Sequence, residues 1–167
     1  MSRSILLLGG LLLSACTTST PAPATTYYRL QIKSTGAFLD ADHCTTTLAL
    51  NPGSTYASGA CQLWTVIPAA DGYSKLQLRS SGLYLDAGHC ASPVTLNPGS
   101  TYLDGACQLW KFVPSADGWS RLQVKSDGQY LDANHCGAQP ISLNPGSTYL
   151  DGACQLWKLV PESAGIN

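Results

Sequence analysis

Charged side chains are scarce here, 11% of 167 residues against the roughly 25% usual in soluble domains. The nine Lys and Arg are thinly spread, with no basic stripe to neutralise phosphates, so the chain reads as one without a nucleic-acid partner. Long apolar runs are absent too, which excludes a multi-span membrane protein. A single Met and two Phe give packed helices little to work with. Sixteen Gly and ten Pro instead favour many short strands and turns. The length suits one domain with its own core, at a net charge of −1. Seven Cys is an odd number, so disulfides alone cannot use them all.

The N-terminus accounts for the odd one. Arg3 precedes a short apolar run from Ile5 to Leu13, too short to span a bilayer, in the layout of an export signal. Leu13-Ser14-Ala15-Cys16 closes the run and resembles the bacterial lipobox, which implies cleavage after Ala15 and a lipid on Cys16. The plainer alternative is an ordinary signal peptide followed by an incidental Cys. Lipidation leaves six Cys, an even set suited to an oxidising compartment, and the acyl chains give lasting membrane attachment. Losing Arg3 leaves eight basic residues against ten acidic. Residues 1–15 are thus read as signal peptide and 16–26 as lipidated Cys and flexible tether, since Thr17 to Thr26 has no large apolar side chain. In lipoproteins of two-membrane bacteria, a non-Asp residue such as Thr17 after the lipidated Cys implies the outer membrane.

Beyond the tether, one unit is written three times, at 27–72, 73–118 and 119–161, with 162–167 as a C-terminal tail. Each unit carries a Leu-Gln pair, a Ser-x-Gly turn, Leu-Asp-Ala, His-Cys, then Leu-Asn-Pro-Gly-Ser-Thr-Tyr and Gly-Ala-Cys-Gln-Leu-Trp. Repeat starts are 46 residues apart, and one extra residue lies between Cys136 and Leu143. Tyr28 to Lys33, Lys75 to Arg79 and Arg121 to Lys125 alternate polar and apolar, as half-buried strands do. Ala-Asp-Gly at 70–72 and 116–118 supplies hairpin turns between repeats. About four strands per repeat gives about twelve. Propellers generally need at least four blades, and a solenoid needs capping repeats that are not evident. Three equal units close instead as an all-β trefoil, a short barrel capped by three hairpins.

Gln62, Gln108 and Gln155 each open a Gln-Leu-Trp about 22 residues after a Leu-Asp-Ala. Three such motifs in register resemble the ricin-B-type lectin repeat over 27–161. The resemblance implies a monomeric trefoil with up to one shallow sugar pocket per repeat, glycans as partners, and no cofactor. It also implies disulfides within each repeat, Cys44–Cys61, Cys90–Cys107 and Cys136–Cys154, of the kind ricin-type repeats contain. Cyclic pairing between adjacent repeats respects the threefold pattern equally well. Metal binding through His43, Cys44, Cys61 and their counterparts is disfavoured, because adjacent His-Cys chelates poorly and exported Cys oxidise.

A sugar site needs acceptors for hydroxyls, planar polar groups and an aromatic face. By resemblance, Asp40, Asp86 and Asp132 match the family's ligand-binding Asp; alternatively they hold the hairpin through backbone N–H groups. Gln62, Gln108 and Gln155 match the Gln that braces fold and site, and Trp64, Trp110 and Trp157 read as core. Two features depart from the family pattern. Cys61, Cys107 and Cys154 stand where an Asn usually precedes the Gln, and Asn51, Asn97 and Asn144 fall near the expected stacking aromatic. Tyr56, Tyr102 and Tyr149 are candidates for the missing aromatic face, with those Asn as hydrogen-bonding partners. Asn-Pro-Gly also reads as a turn. His43, His89 and His135 are candidate rim residues or plain surface ones. The Leu-Asn-Pro-Gly-Ser-Thr-Tyr block is identical in all copies, which fits a strict turn, a site or recent duplication. Repeat one has Ala57-Ser58 where the others have Leu-Asp, so a contributing Asp there makes the first site the weakest.

The expected function is a membrane-anchored, carbohydrate-binding lectin with up to three weak sites. The alternative is a protein-interaction scaffold, such as an adhesin or toxin accessory subunit. No enzyme is expected: every acidic or His candidate recurs threefold, whereas an active site normally breaks such symmetry.

Overall fold

A computed structural model describes residues 25–137, 140–146 and 149–162. The leader, Cys16 and most of the tether lie outside the described residues. Twelve strands are present among them. Repeat one holds β1 (Tyr28–Ile32), β2 (Phe38–Ala41), β3 (Leu48–Asn51) and β4 (Trp64–Pro68). Repeat two holds β5 (Ser74–Leu78), β6 (Tyr84–Asp86), β7 (Thr95–Asn97) and β8 (Trp110–Pro114). Repeat three holds β9 (Ser120–Val124), β10 (Tyr130–Asp132), β11 (Ser142–Asn144) and β12 (Trp157–Pro161).

Six strands close on themselves through antiparallel pairs β1–β4, β4–β5, β5–β8, β8–β9, β9–β12 and β12–β1. The other six form the hairpins β2–β3, β6–β7 and β10–β11. The molecule is a β-trefoil, and closure leaves the barrel no free edge. The register repeats with the sequence: Tyr28 opposes Trp64, Ser74 opposes Trp110 and Ser120 opposes Trp157.

The core follows from alternation along these strands. Leu30 and Ile32, Leu76 and Leu78, and Leu122 and Val124 point inward and are fully buried, as are Trp64, Trp110 and Trp157. Each indole N–H donates to a Leu carbonyl of Leu-Asp-Ala, at 3.4 Å for Leu39, 3.0 Å for Leu85 and 3.0 Å for Leu131. A buried Trp needs such a partner, and this bond ties each hairpin to the barrel. The Gln of each Leu-Gln pair closes the Ser-x-Gly turn, with Nε2 donating to the carbonyls of Gly36, Gly82 and Gly128 at 2.9 Å each. Leu48, Val94 and Ile141, one from each repeat, line a cavity of about 180 Å³ between the hairpins.

The disulfides join Cys44–Cys61, Cys90–Cys107 and Cys136–Cys154, with Cα separations of 4.8, 4.7 and 4.6 Å. The pairing is within repeats, so the cyclic alternative does not occur. Both disulfide arms run through left-handed turns that residue propensities do not announce. His-Cys has positive φ in all three copies. Leu103-Asp104-Gly105 has φ of 47°, 53° and 74° in succession, and Ala57-Ser58-Gly59 and Leu150-Asp151-Gly152 do the same. Such a turn costs about 1–2 kcal/mol per non-Gly residue, and the adjoining disulfide and hydrogen bonds hold it in place.

Candidate functional site

Repeats one and two carry the same turn constellation, drawn most completely in repeat two. Gln108 is fully buried, and its Nε2 donates to Asp86 Oδ2 at 2.8 Å. Its Oε1 accepts the backbone N–H of Ser100 at 3.2 Å. Ser100 Oγ in turn accepts the Tyr102 N–H at 3.1 Å. Asn97 Oδ1 accepts the Gly99 N–H at 3.4 Å and closes the Asn-Pro-Gly turn. The identical block therefore has a mechanical reading. Asn fixes the turn, Ser links it to the Gln-Leu-Trp Gln, and Tyr emerges at the surface. Repeat one repeats these contacts at Ser54, Tyr56 and Gly53. Asp40 Oδ2 and Gln62 Nε2 there are buried without completing a hydrogen bond. In repeat three Asn144 Oδ1 accepts the Gly146 N–H at 3.1 Å, and Gln155 Nε2 approaches the Asn144 carbonyl at 3.5 Å.

The three Leu-Asp-Ala carboxylates form the floor. Asp40, Asp86 and Asp132 are only 2, 2 and 3% exposed. Asp86 braces its hairpin, with the buried Gln108 amide as its partner rather than a backbone N–H. Burial pushes the Asp40 carboxyl above its ordinary value, as does the charge of Asp42, while the Gln62 amide and His43 pull it down. Burial likewise raises Asp132, against the lowering effect of Gln155, His135 and the Asn134 backbone.

The exposed part is the rim. Tyr56 and Tyr102 are 53% and 50% exposed. His43 meets Tyr56 edge-on at 5.3 Å between ring centroids, and His89 meets Tyr102 at 5.6 Å. Asp42 Oδ1 lies 2.7 Å from His43 Nδ1, and Asn134 Oδ1 lies 2.9 Å from His135 Nδ1. The Tyr149 side chain lies outside what is described. Leu103 and Leu150, also exposed, extend two of the rims. No group of three His, Cys, Asp or Glu that could hold a metal occurs among the described residues.

The structure adds one set of residues that the sequence reading missed. Phe38, Tyr84 and Tyr130 each stand two positions before the Asp, on the same strand face. Each lies directly across from its Asn: Phe38 from Asn51, Tyr84 from Asn97 and Tyr130 from Asn144. An aromatic face is thus present beside each Asn, contributed by the neighbouring strand. The signal was the aromatic immediately before every Leu-Asp-Ala.

A triplicated hairpin cap on a closed six-stranded barrel defines the class as a lectin-like β-trefoil. Residues 18–102 match the ricin-type β-trefoil lectin domain-like family, half of the chain, and the chain belongs to that family. Among solved structures, a designed threefold-symmetric protein, ThreeFoil, is 27% identical at a TM-score of 0.66, covering 80% of this chain and 97% of its own. SeviL, solved bound to the asialo-GM1 saccharide, is 20% identical at a TM-score of 0.62, covering 82% of this chain and 98% of its own. An exo-β-1,3-galactanase from Clostridium thermocellum is 24% identical at a TM-score of 0.67; the match covers 85% of this chain and 31% of that enzyme. Likeness at the last two identities speaks for the fold alone. No curated protein matches the chain.

Proposed function

We propose that this protein is a non-enzymatic lectin, exported and held in the bacterial cell envelope by lipid on Cys16, with one weak glycan site at each hairpin rim. Thr17 favours the outer membrane where the envelope has two. Membership of the lectin-like family supports sugar binding. The observation that carries the reading is the rim of repeats one and two, where a half-exposed Tyr is set against a His, with a buried Asp86–Gln108 brace in the hairpin of repeat two. The Tyr ring offers a face to pyranose C–H groups, while His and Asn offer hydrogen bonds to hydroxyls. The burial of the Asp makes it a support for that surface, and direct contact with sugar falls to the rim. The Asp, His and Gln candidates recur in all three repeats, a pattern that suits binding.

The exposed Leu103 and Leu150 favour a second reading, in which the rims grip a protein. A glycan array probed with the chain from Thr17 onward separates the two. Sugar binding weakened by Tyr102→Ala supports the lectin. Capture of a protein with no glycan bound supports the scaffold.

A further inference from the structure

Among the described residues, every Lys and Arg lies on a barrel strand or immediately after one; the hairpin cap carries none. Arg29, Lys75 and Arg121 occupy the same position in β1, β5 and β9, and each sets its cation over the aromatic that precedes Leu-Asp-Ala. Arg29 Cζ lies 5.4 Å from the Phe38 ring centroid, Lys75 Nζ lies 5.2 Å from that of Tyr84, and Arg121 Cζ lies 5.4 Å from that of Tyr130. Three cation–aromatic pairs therefore flank the three hairpins.

They differ in one neighbour. The backbone N–H of Glu162 donates to the Tyr27 carbonyl at 2.9 Å, that of Ala69 to Tyr73 at 2.8 Å and that of Ser115 to Trp119 at 2.8 Å. Glu162, Ala69 and Ser115 are thus equivalent positions, and one of them is acidic. Glu162 approaches Arg29 side-on, with Oε2 3.1 Å from Nε and Oε1 3.4 Å from Nη2. The C-terminal tail thus supplies a carboxylate to the guanidinium of repeat one. Beside Arg121 of repeat three, the residue at that position is Ser115 from the end of repeat two, and Arg121 makes no ion pair among the described residues. Nε is buried without a well-formed hydrogen bond in both Arg29 and Arg121, so what separates the two guanidiniums is the Glu162 carboxylate beside the first.

We infer that Arg121, held over Tyr130, receives the carboxylate of an acidic sugar, a uronic acid residue within a glycan, in the way that Arg29 receives Glu162. The inference rests on the carbohydrate reading above and adds the class of sugar. A guanidinium presents paired N–H donors in a planar fork that matches a carboxylate, and the pair is short and charge-assisted. Tyr130 lies across from Asn144 in the sheet, so an aromatic ring, an amide and the cation share one face. Asp132 is buried, and Asp127 bonds Gln129. Lys75 over Tyr84 repeats the platform with a point charge in place of a fork, and Ala69 is its neighbour. The second repeat is accordingly the weaker acidic position. The first, already neutralised by Glu162, takes neutral sugars.

Binding of tetragalacturonate and of neutral galactotetraose to the full-length protein, and to its Arg121→Gln and Ser115→Glu variants, tests this. Wild type is expected to bind the acidic oligomer about tenfold tighter, a preference that fades with added salt. Arg121→Gln removes the cation. Ser115→Glu reproduces the arrangement of repeat one and neutralises Arg121 from within. Both variants are expected to lose the preference and keep the neutral affinity, and Ser115→Glu is expected to melt no lower than wild type. Equal affinities in wild type, or a preference that survives both substitutions, overturn the inference while the lectin reading stands. A sulfated galactotetraose that binds as tightly through Arg121 overturns the carboxylate assignment. Failure of wild type to bind either oligomer or any neutral glycan removes the carbohydrate reading itself.

Discussion

Gln108 bonds to both sides of its site at once, donating to Asp86 and accepting from Ser100. Gln108→Ala leaves a buried carboxylate without its donor and a turn N–H without its acceptor. Chemical denaturation is expected to show a loss of about 3 kcal/mol. Asp86→Asn keeps an acceptor at nearly the same place and distinguishes bracing from sugar contact. If Asp86 braces, the Asn variant folds and binds sugar nearly as well as wild type, while Asp86→Ala loses stability. Fold retained with binding lost in the Asn variant assigns the carboxylate to the ligand. The buried acids also give a sign to the pH dependence. Asp40 and Asp132 titrate above their ordinary value of 3.8 in the folded protein. The native state therefore binds those protons more tightly than the unfolded chain, and these groups favour folding as pH falls from their raised values toward 3.8. That contribution disappears as pH rises through the raised values. Asp132→Asn is expected to flatten this limb in urea titrations across the acid range.

At the scale of elements, the repeats announced their strands and the Ser-x-Gly, Asn-Pro-Gly and Ala-Asp-Gly turns, but not the left-handed turns beside the disulfides. Alternation in Leu-Gln-Leu and its counterparts, and the buried Trp of Gln-Leu-Trp, were legible because solvent and core impose a period of two on any half-buried strand. The left-handed Leu103-Asp104-Gly105 turn was not legible, since propensity argues against Leu at positive φ, and only the closed disulfide and the Gln brace over-determine it. The aromatic platform at Phe38, Tyr84 and Tyr130 escaped for a related reason: it meets its Asn across a strand pair, and sequence spacing does not show the register. Gly105 tests the turn. A Cβ there meets the Ser100 carbonyl at 3.0 Å, and φ is 74°. Gly105→Ala is expected to cost about 1–2 kcal/mol in thermal unfolding and to weaken sugar binding at repeat two. Removing the Cys90–Cys107 bond by a double Cys→Ser change is expected to cost about 3 kcal/mol.

For the whole molecule, β1 and β12 close the barrel and bring the two ends of the domain together: Tyr28 opposes Pro161, and Arg29 pairs with Glu162. Threefold closure then places equivalent rims around one axis. Each shallow site alone is expected to bind a sugar with a Kd of about 1 mM, some 4 kcal/mol. Useful strength is expected from engaging several rims on one glycan. The most direct measurement is surface-plasmon binding of an array-selected multivalent glycan to wild type, Tyr56→Ala, Tyr102→Ala and the double variant, with folding checked by circular dichroism. The account predicts stepwise loss, small for either single change and more than tenfold for the double variant, whose remaining avidity is limited. Binding unchanged in the folded double variant, or no glycan bound by wild type, would contradict it.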